Sequence, residues 1–178
     1  MLLAVCTGLR RSELFALRWQ DIHFELGQMN VTRSIVYQVV GTCKTEASKK
    51  PVPLHPYLSK ALQEWRQRTR YKGQGDWVFA SPHHHGKKPY LSQTLMDRYI
   101  RPAAQQCGLN KRFGWHTFRH TYSTLLHDLG TNMKVAQELL RHFSIRVTLD
   151  GYTQAVTPSK RAAQSAVVRL LFPEAVNY

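Results

Sequence analysis

Cysteine is scarce in this chain: Cys6, Cys43 and Cys107 are odd in number, far apart in sequence and without a C-x-x-C pair. Such spacing argues against a disulfide framework and against a thiolate zinc site, and it fits a reducing cytosol. Long apolar runs are lacking as well. None approaches the ~20 residues of a membrane span, and the opening MLLAVCTGLRRSE has neither a basic leader nor an apolar stretch long enough for a secretion signal. Internal repeats and low-complexity tracts are absent. Negative charge is short too: 11 Asp and Glu stand against 25 Lys and Arg, which leaves a formal charge of +14. A surface of that kind attracts polyanions, and nucleic acid is the leading candidate because the basic residues are spread through structured-looking segments.

What is present is a chain of 178 residues with 43% hydrophobic and 11% aromatic content, enough for one globular domain and too apolar for a disordered tail. The opening residues read as the end of a core helix followed by a turn, which raises the expectation of a preceding region upstream of Met1. Residues from Ser12 to Leu17 look helical, with Leu14 and Leu17 at core spacing. The stretch GQMNVTRSIVYQVVGTCKTEASKKPVPL then alternates β-branched residues around Gly41 and predicts two or three short antiparallel strands. From Pro56 onward the signals are helical: PYLSKALQEWRQRT, LSQTLMDRYIRPAAQQCG with a boundary or kink at Pro102, a segment beginning near Trp115, NMKVAQELLRH, and PSKRAAQSAVVRLL. The expected fold is α+β, mainly α-helical with one small antiparallel sheet of about three strands, occupying residues 1–178 as a single domain.

The segment from Trp115 to Leu129 carries two interleaved rhythms. At about 100° per residue, Phe118, Tyr122, Leu125, Leu126 and Leu129 fall on one side, and His116, Arg119, His120 and Ser123 gather on the other. A His and an Arg three residues apart are neighbours on a helix surface and can donate hydrogen bonds to one anionic group. A plain solvated polar face explains the same pattern. So does a helix-turn-helix, since GTN (Gly130 to Asn132) separates this helix from the next, in which Lys134, Gln137 and Arg141 would read bases; Val135, Leu139 and Leu140 look like core. The triplet His83, His84, His85 reads as an exposed loop rather than a metal site, because consecutive residues cannot all face one ion and no Cys or carboxylate stands close by. In TPSKRAAQSAVVRLLF, Thr157 and Pro158 look like a helix start, and Ala162, Ala166, Val167, Leu170 and Leu171 form an apolar stripe.

Four stretches together resemble the tyrosine recombinase (phage integrase) family. TGLRRSELFALRWQDI matches the family's first box, which places its first catalytic arginine on Arg10 and its supporting acid on Glu13. CKTEASKKPVPL matches the lysine-bearing turn and puts that role on Lys44, with Lys49 and Lys50 left open. HTFRH matches the box that carries the roles of His116 and Arg119, and LLRHFSIRVTLDGYTQ matches the last box, giving the second histidine's place to His142 and the nucleophile's to Tyr152. Two positions depart from the family pattern: Arg141 stands where Gly usually precedes the histidine, and Gly151 precedes the tyrosine where a larger residue is common. Members generally carry an N-terminal core-binding domain, and the expectation is that residues 1–178 hold the catalytic domain alone, without that N-terminal domain.

The resemblance implies strand breakage and rejoining in double-stranded DNA through a 3′-phosphotyrosyl link. A tyrosine hydroxyl of ordinary pKa near 10 is only about one part in a thousand ionised at pH 7, so Tyr152 needs help. Arg10 and Arg119 would hold the non-bridging oxygens, Lys44 would protonate the leaving 5′ oxygen, His116 would relay or accept the tyrosine's proton, and His142 would bind the phosphate. His120 is assigned a supporting place. Retained diester energy and arginine charge make cofactor, ATP and metal unnecessary to this chemistry. The resemblance further implies a monomer in isolation, a homotetramer on the DNA synapse into which the C-terminal helix can dock, no membrane association, and a prokaryotic cytoplasm with nucleoid association when bound to DNA. A binding module without chemistry, or an inactive integrase remnant, is the alternative.

Overall fold

The computed structural model describes residues 1–42, 50–141 and 158–173, apart from the side chain of Met133. Helix α1 (Leu2–Thr7) buries Leu3, Ala4, Cys6 and Thr7 and ends at Gly8, whose φ of 60° turns the chain back toward a short α2 (Arg11–Leu14). The helical stretch expected from Ser12 to Leu17 thus stops early, at Phe15, although Leu14 and Leu17 are buried as their spacing suggested. Two small sheets follow where one was expected. Strands β1 (Ile22–His23), β2 (Gln28–Met29) and β5 (Val52–Pro53) form an antiparallel sheet in which Ile22 faces Met29 and Met29 faces Val52, all three buried. Strands β3 (Arg33–Val36) and β4 (Val39–Thr42) make a separate hairpin whose turn residues Tyr37 and Gln38 both have positive φ.

Helix α3 (Pro56–Arg68) starts with proline at its first position and with His55 as cap, the His55 Nδ1 accepting from the Tyr57 amide at 3.2 Å. The kink expected at Pro102 takes a specific form. Helix α4 (Ser92–Leu95) runs through a π turn, Met96–Ile100, into α5 (Arg101–Gln106). The Arg101 amide reaches back to the Met96 carbonyl, so the wide turn comes just before the proline that cannot donate. The remaining helices are α6 (Trp115–Asp128), α7 (Met133–Leu140) and α8 (Pro158–Leu171). The mainly helical α+β architecture is the expected one.

Two apolar clusters hold these elements together. The larger joins α1, α2, the three-stranded sheet and α3 around Trp19, Met29, Leu58, Val78 and Trp115. The smaller lies between α6, α7 and α8 and consists of Tyr122, Leu126, Leu139, Leu140 and Val167. The face by which α8 docks follows the expected stripe only in part: Val167 is buried, but Ala162 and Leu170 are exposed, and Lys160, Gln164 and Val168 are buried as well. The buried positions recur at helical spacing, although Lys160 and Gln164 are polar. Each has a partner in the body: the Lys160 ammonium lies 2.7 Å from Glu138, and the Gln164 amide donates to the Pro53 carbonyl at 2.5 Å. Arg161 adds hydrogen bonds to the Leu26 and Gly27 carbonyls. No helix among the described residues is long and apolar enough to cross a membrane.

Candidate functional site

The first site residue is placed by a turn. After Gly8 reverses the chain, Leu9 is buried and Arg10 becomes the residue before α2, with Glu13 in that helix's first turn. One Glu13 oxygen accepts from the Arg10 backbone amide at 2.8 Å, and the other accepts from Arg10 Nη1 at 2.9 Å. Glu13 is buried, whereas the Arg10 side chain keeps 37% of its surface exposed. The carboxylate holds its arginine through Nη1, while Nη2 reaches across to the Arg141 carbonyl and the side chain stays partly exposed. Glu13 thus contacts both the backbone and the side chain of Arg10.

Arg119 departs from its expected place. His116 and His120 are exposed, their rings edge to face with centroids 4.4 Å apart, but Arg119 does not share their face. It is only 5% exposed and lies in a stripe with Trp115, Tyr122 and Leu126. These four positions follow the i, i+4, i+7, i+11 rhythm that defines one side of a helix, so Arg119 belongs to the buried stripe, and its charge misled the reading. Ser123 is half-buried, and Leu129, expected in the apolar face, is 41% exposed at the helix end.

A buried guanidinium must be hydrogen-bonded. Arg119 Nη1 donates to the Gly8 carbonyl and Nη2 to the Leu140 carbonyl. The Leu140 carbonyl is one of those left without a helical partner at the end of α7, where the helix dipole concentrates negative potential. Burial first, and then the nearby charges of Arg10 and Arg141, lower the Arg119 pKa to about 10, while Glu13 opposes the shift. The group remains a cation at neutral pH.

Arg141 completes the cluster. It follows α7 in the left-handed region with φ 51°, is 2% exposed, and donates through Nη2 to the same Glu13 oxygen that holds the Arg10 amide. Its carbonyl accepts from Arg10 Nη2 at 3.1 Å. The sequence marked Arg141 only as a departure from the family pattern and as a possible base reader. A charged residue at the position where a glycine usually ends the helix was the available signal. As a base reader it is ruled out by burial. Of the other two candidates, Lys134 is exposed and Gln137 is half-buried, while Leu139 and Leu140 pack into the small cluster. Helix α7 is therefore an internal packing element, and the helix-turn-helix reading is not supported.

Arg10 and Arg119 open onto a cleft of about 610 Å³, also lined by Arg101, Gln93, Trp115 and His116. Arg101 donates through Nε and Nη2 to the Phe113 carbonyl at 3.2 and 3.0 Å, which ties α5 to the loop that leads into α6. Lys44 and Lys49, His142, Gly151 and Tyr152 lie outside the described residues. Lys50 is described and half-buried. Glu138 feels its charge: burial works to raise that carboxyl's pKa, but the hydrogen bond and charge of Lys160, with Lys50 and Lys134 beyond, bring it below the ordinary range. No group of three or more His, Cys, Asp or Glu side chains that could hold a metal ion occurs among the described residues. The residues of the His83–His85 triplet form a short turn, with His83 and His85 exposed, in keeping with the loop reading.

With this geometry in view, the comparisons with known proteins agree with one another. The phage integrase family matches residues 1–157. A tyrosine recombinase XerC-like protein of Caldanaerobacter subterraneus subsp. tengcongensis is 31% identical over 185 aligned residues, covering 91% of this chain and 46% of the relative. Tyrosine recombinase XerD of Listeria monocytogenes is 30% identical over 80% of this chain and 44% of its own length. The chain therefore spans less than half the length of these relatives. Among solved structures, the Tn1549 transposon integrase in complex with a circular intermediate DNA superposes with a TM-score of 0.69, at 22% identity, over 90% of this chain and 55% of that one. At that identity the likeness establishes the fold.

Proposed function

The chain belongs to the phage integrase family and has the fold of a tyrosine recombinase catalytic domain, and on that premise we propose that it breaks and rejoins double-stranded DNA at specific sites through a 3′-phosphotyrosyl intermediate. The observation that carries the proposal is the meeting of two arginines from distant parts of the chain, Arg10 before α2 and Arg119 in α6. Arg10 and Arg119 line one cleft, tied together through Glu13, Gly8 and the carboxyl end of α7. Structural ion pairs pack arginines too, but they do not ordinarily open two of them onto a cleft beside an exposed histidine.

In the proposed reaction the Tyr152 oxygen attacks the phosphorus, the bond from phosphorus to the 5′ oxygen breaks, and the DNA 3′ end is left esterified to the tyrosine. The phenol proton passes to His116, which lines the cleft and is exposed. The departing 5′ oxygen takes its proton from Lys44, and His142 donates to the phosphate. Arg10, partly exposed to the cleft, and Arg119, charged behind it, stabilise the negative charge that builds on the non-bridging oxygens. Because the phosphotyrosyl ester conserves the diester's energy, attack by a 5′ hydroxyl reverses the step and reseals a strand. The proposed partner is duplex DNA, attracted by the +14 charge, and the working assembly is a homotetramer on the synapse formed from chains that are monomers in isolation. The setting is a prokaryotic cytoplasm.

The test is incubation with a nicked suicide duplex bearing a recombination site. A denaturant-resistant adduct of protein and DNA is expected, absent from Tyr152→Phe. An adduct that survives that replacement removes Tyr152 from the role of nucleophile. Binding without any adduct from the unaltered chain returns the protein to the class of inactive remnants.

A further inference from the structure

We propose that Arg141 is a positioning residue of the phosphate site: it sets the separation of Arg10 and Arg119 by locking the end of α7 against Glu13. The proposal rests on the reading of the cleft as a phosphate site and goes beyond it, because the family pattern has glycine at this place. Three observations converge. Arg141 is a non-glycine residue in the left-handed region, a strained conformation that persists only when its surroundings enforce it. Its guanidinium is inside the protein on the Glu13 carboxylate, the same group that holds both the amide and the side chain of Arg10. Its backbone turn presents two consecutive carbonyls outward from the helix end, that of Leu140 to Arg119 and that of Arg141 to Arg10.

Glycine would supply the turn without strain but would hold the end of the helix by backbone alone. Arginine adds a buried ion pair that fastens the turn to α2 from the far side. The two cleft arginines then bind adjacent carbonyls of one rigid turn, and their spacing is that of the turn.

The experiment compares Arg141→Gly, Arg141→Lys and the double variant Arg141→Met/Glu13→Gln, which keeps side-chain volume while removing both charges. The first readout needs no cleavage: the side-chain Nε–H resonances of Arg10 and Arg119, assigned by NMR with Arg10→Lys and Arg119→Lys, in the DNA-free chain. Both resonances should shift or broaden in Arg141→Gly and be partly restored in Arg141→Lys. The second readout is single-turnover adduct formation at saturating duplex. It should slow by up to about a hundredfold in Arg141→Gly, with duplex affinity changed less than threefold. Unmoved resonances in a folded Arg141→Gly or double variant overturn the positioning role, as does adduct formation at the unaltered rate. An unaltered chain that forms no adduct sinks the recombinase reading alone, and the resonances still decide the role of Arg141.

Discussion

Gly8 offers the sharpest test of how this site is built, because one small residue serves three purposes. It ends α1 with φ 60°, its carbonyl accepts from Arg119, and it makes room for the ring of Tyr122. A Cβ at this position would lie 2.5 Å from Tyr122 Cδ1 and 3.2 Å from Leu140 Cδ2. Both neighbours are buried in the small cluster and have little room to retreat. Gly8→Ala therefore combines a left-handed alanine, roughly 1 kcal/mol, with overpacking of about 1–3 kcal/mol, a total on the order of 2–4 kcal/mol. For a domain of this size that lowers Tm by roughly 4–16 °C. Two other glycines separate the contributions. Gly130 has φ 65° but nothing within 4 Å of a built Cβ, so Gly130→Ala should show only the strain of about 1 kcal/mol. Gly41 has an ordinary backbone and an open Cβ direction, so Gly41→Ala should be neutral within about 0.5 kcal/mol. Thermal and urea unfolding followed by circular dichroism would rank the three. If Gly8→Ala proved no more damaging than Gly130→Ala, the tight contact with Tyr122, and with it the packing of α6 on α1, would be wrong.

The remaining expectations concern pH, the C-terminal helix and salt. Burial, with the charge of Arg169 second, lowers the His55 pKa below its ordinary value. A base with a depressed folded pKa contributes stability that is present above about pH 6.5 and is lost as pH falls through the folded value; His55→Asn, which can still cap α3, should flatten that part of a stability profile measured from pH 7.5 to 5. Lys160→Met strands the mostly buried Glu138 carboxylate and should cost about 3 kcal/mol in urea unfolding; Lys160→Met/Glu138→Leu should recover most of it, and a double variant as unstable as the single one would refute the pairing. If six to ten phosphates are contacted, duplex affinity should fall on the order of 10³ to 10⁵ between 50 and 200 mM salt; salt-insensitive binding would contradict a phosphate-directed surface.

The pairing of Arg10 with Glu13 was legible in the sequence because it is local. The TGLRRSE turn carries its own capping acid three residues on, and Glu13 does hold Arg10 through both backbone and side chain. Helix α6 was visible from its apolar spacing, and Tyr122 and Leu126 are core as expected. The +14 balance and the order of the four boxes belong to the sequence as a string, and no folding is needed to read them.

Where a polar side chain ends up was decided by the tertiary structure. Periodicity states which side of a helix is mostly apolar, but a charged residue inside that stripe looks outward unless its partners are known, and here the partners come from far along the chain. Arg119 turns inward because Gly8 and Leu140 present carbonyls to it; Arg141, because Glu13 lies beside it; Lys160 and Gln164, because Glu138 and Pro53 wait beneath α8. Burial of such groups is favourable only after their acceptors have been brought together, so it is a property of the packed domain and of no single segment.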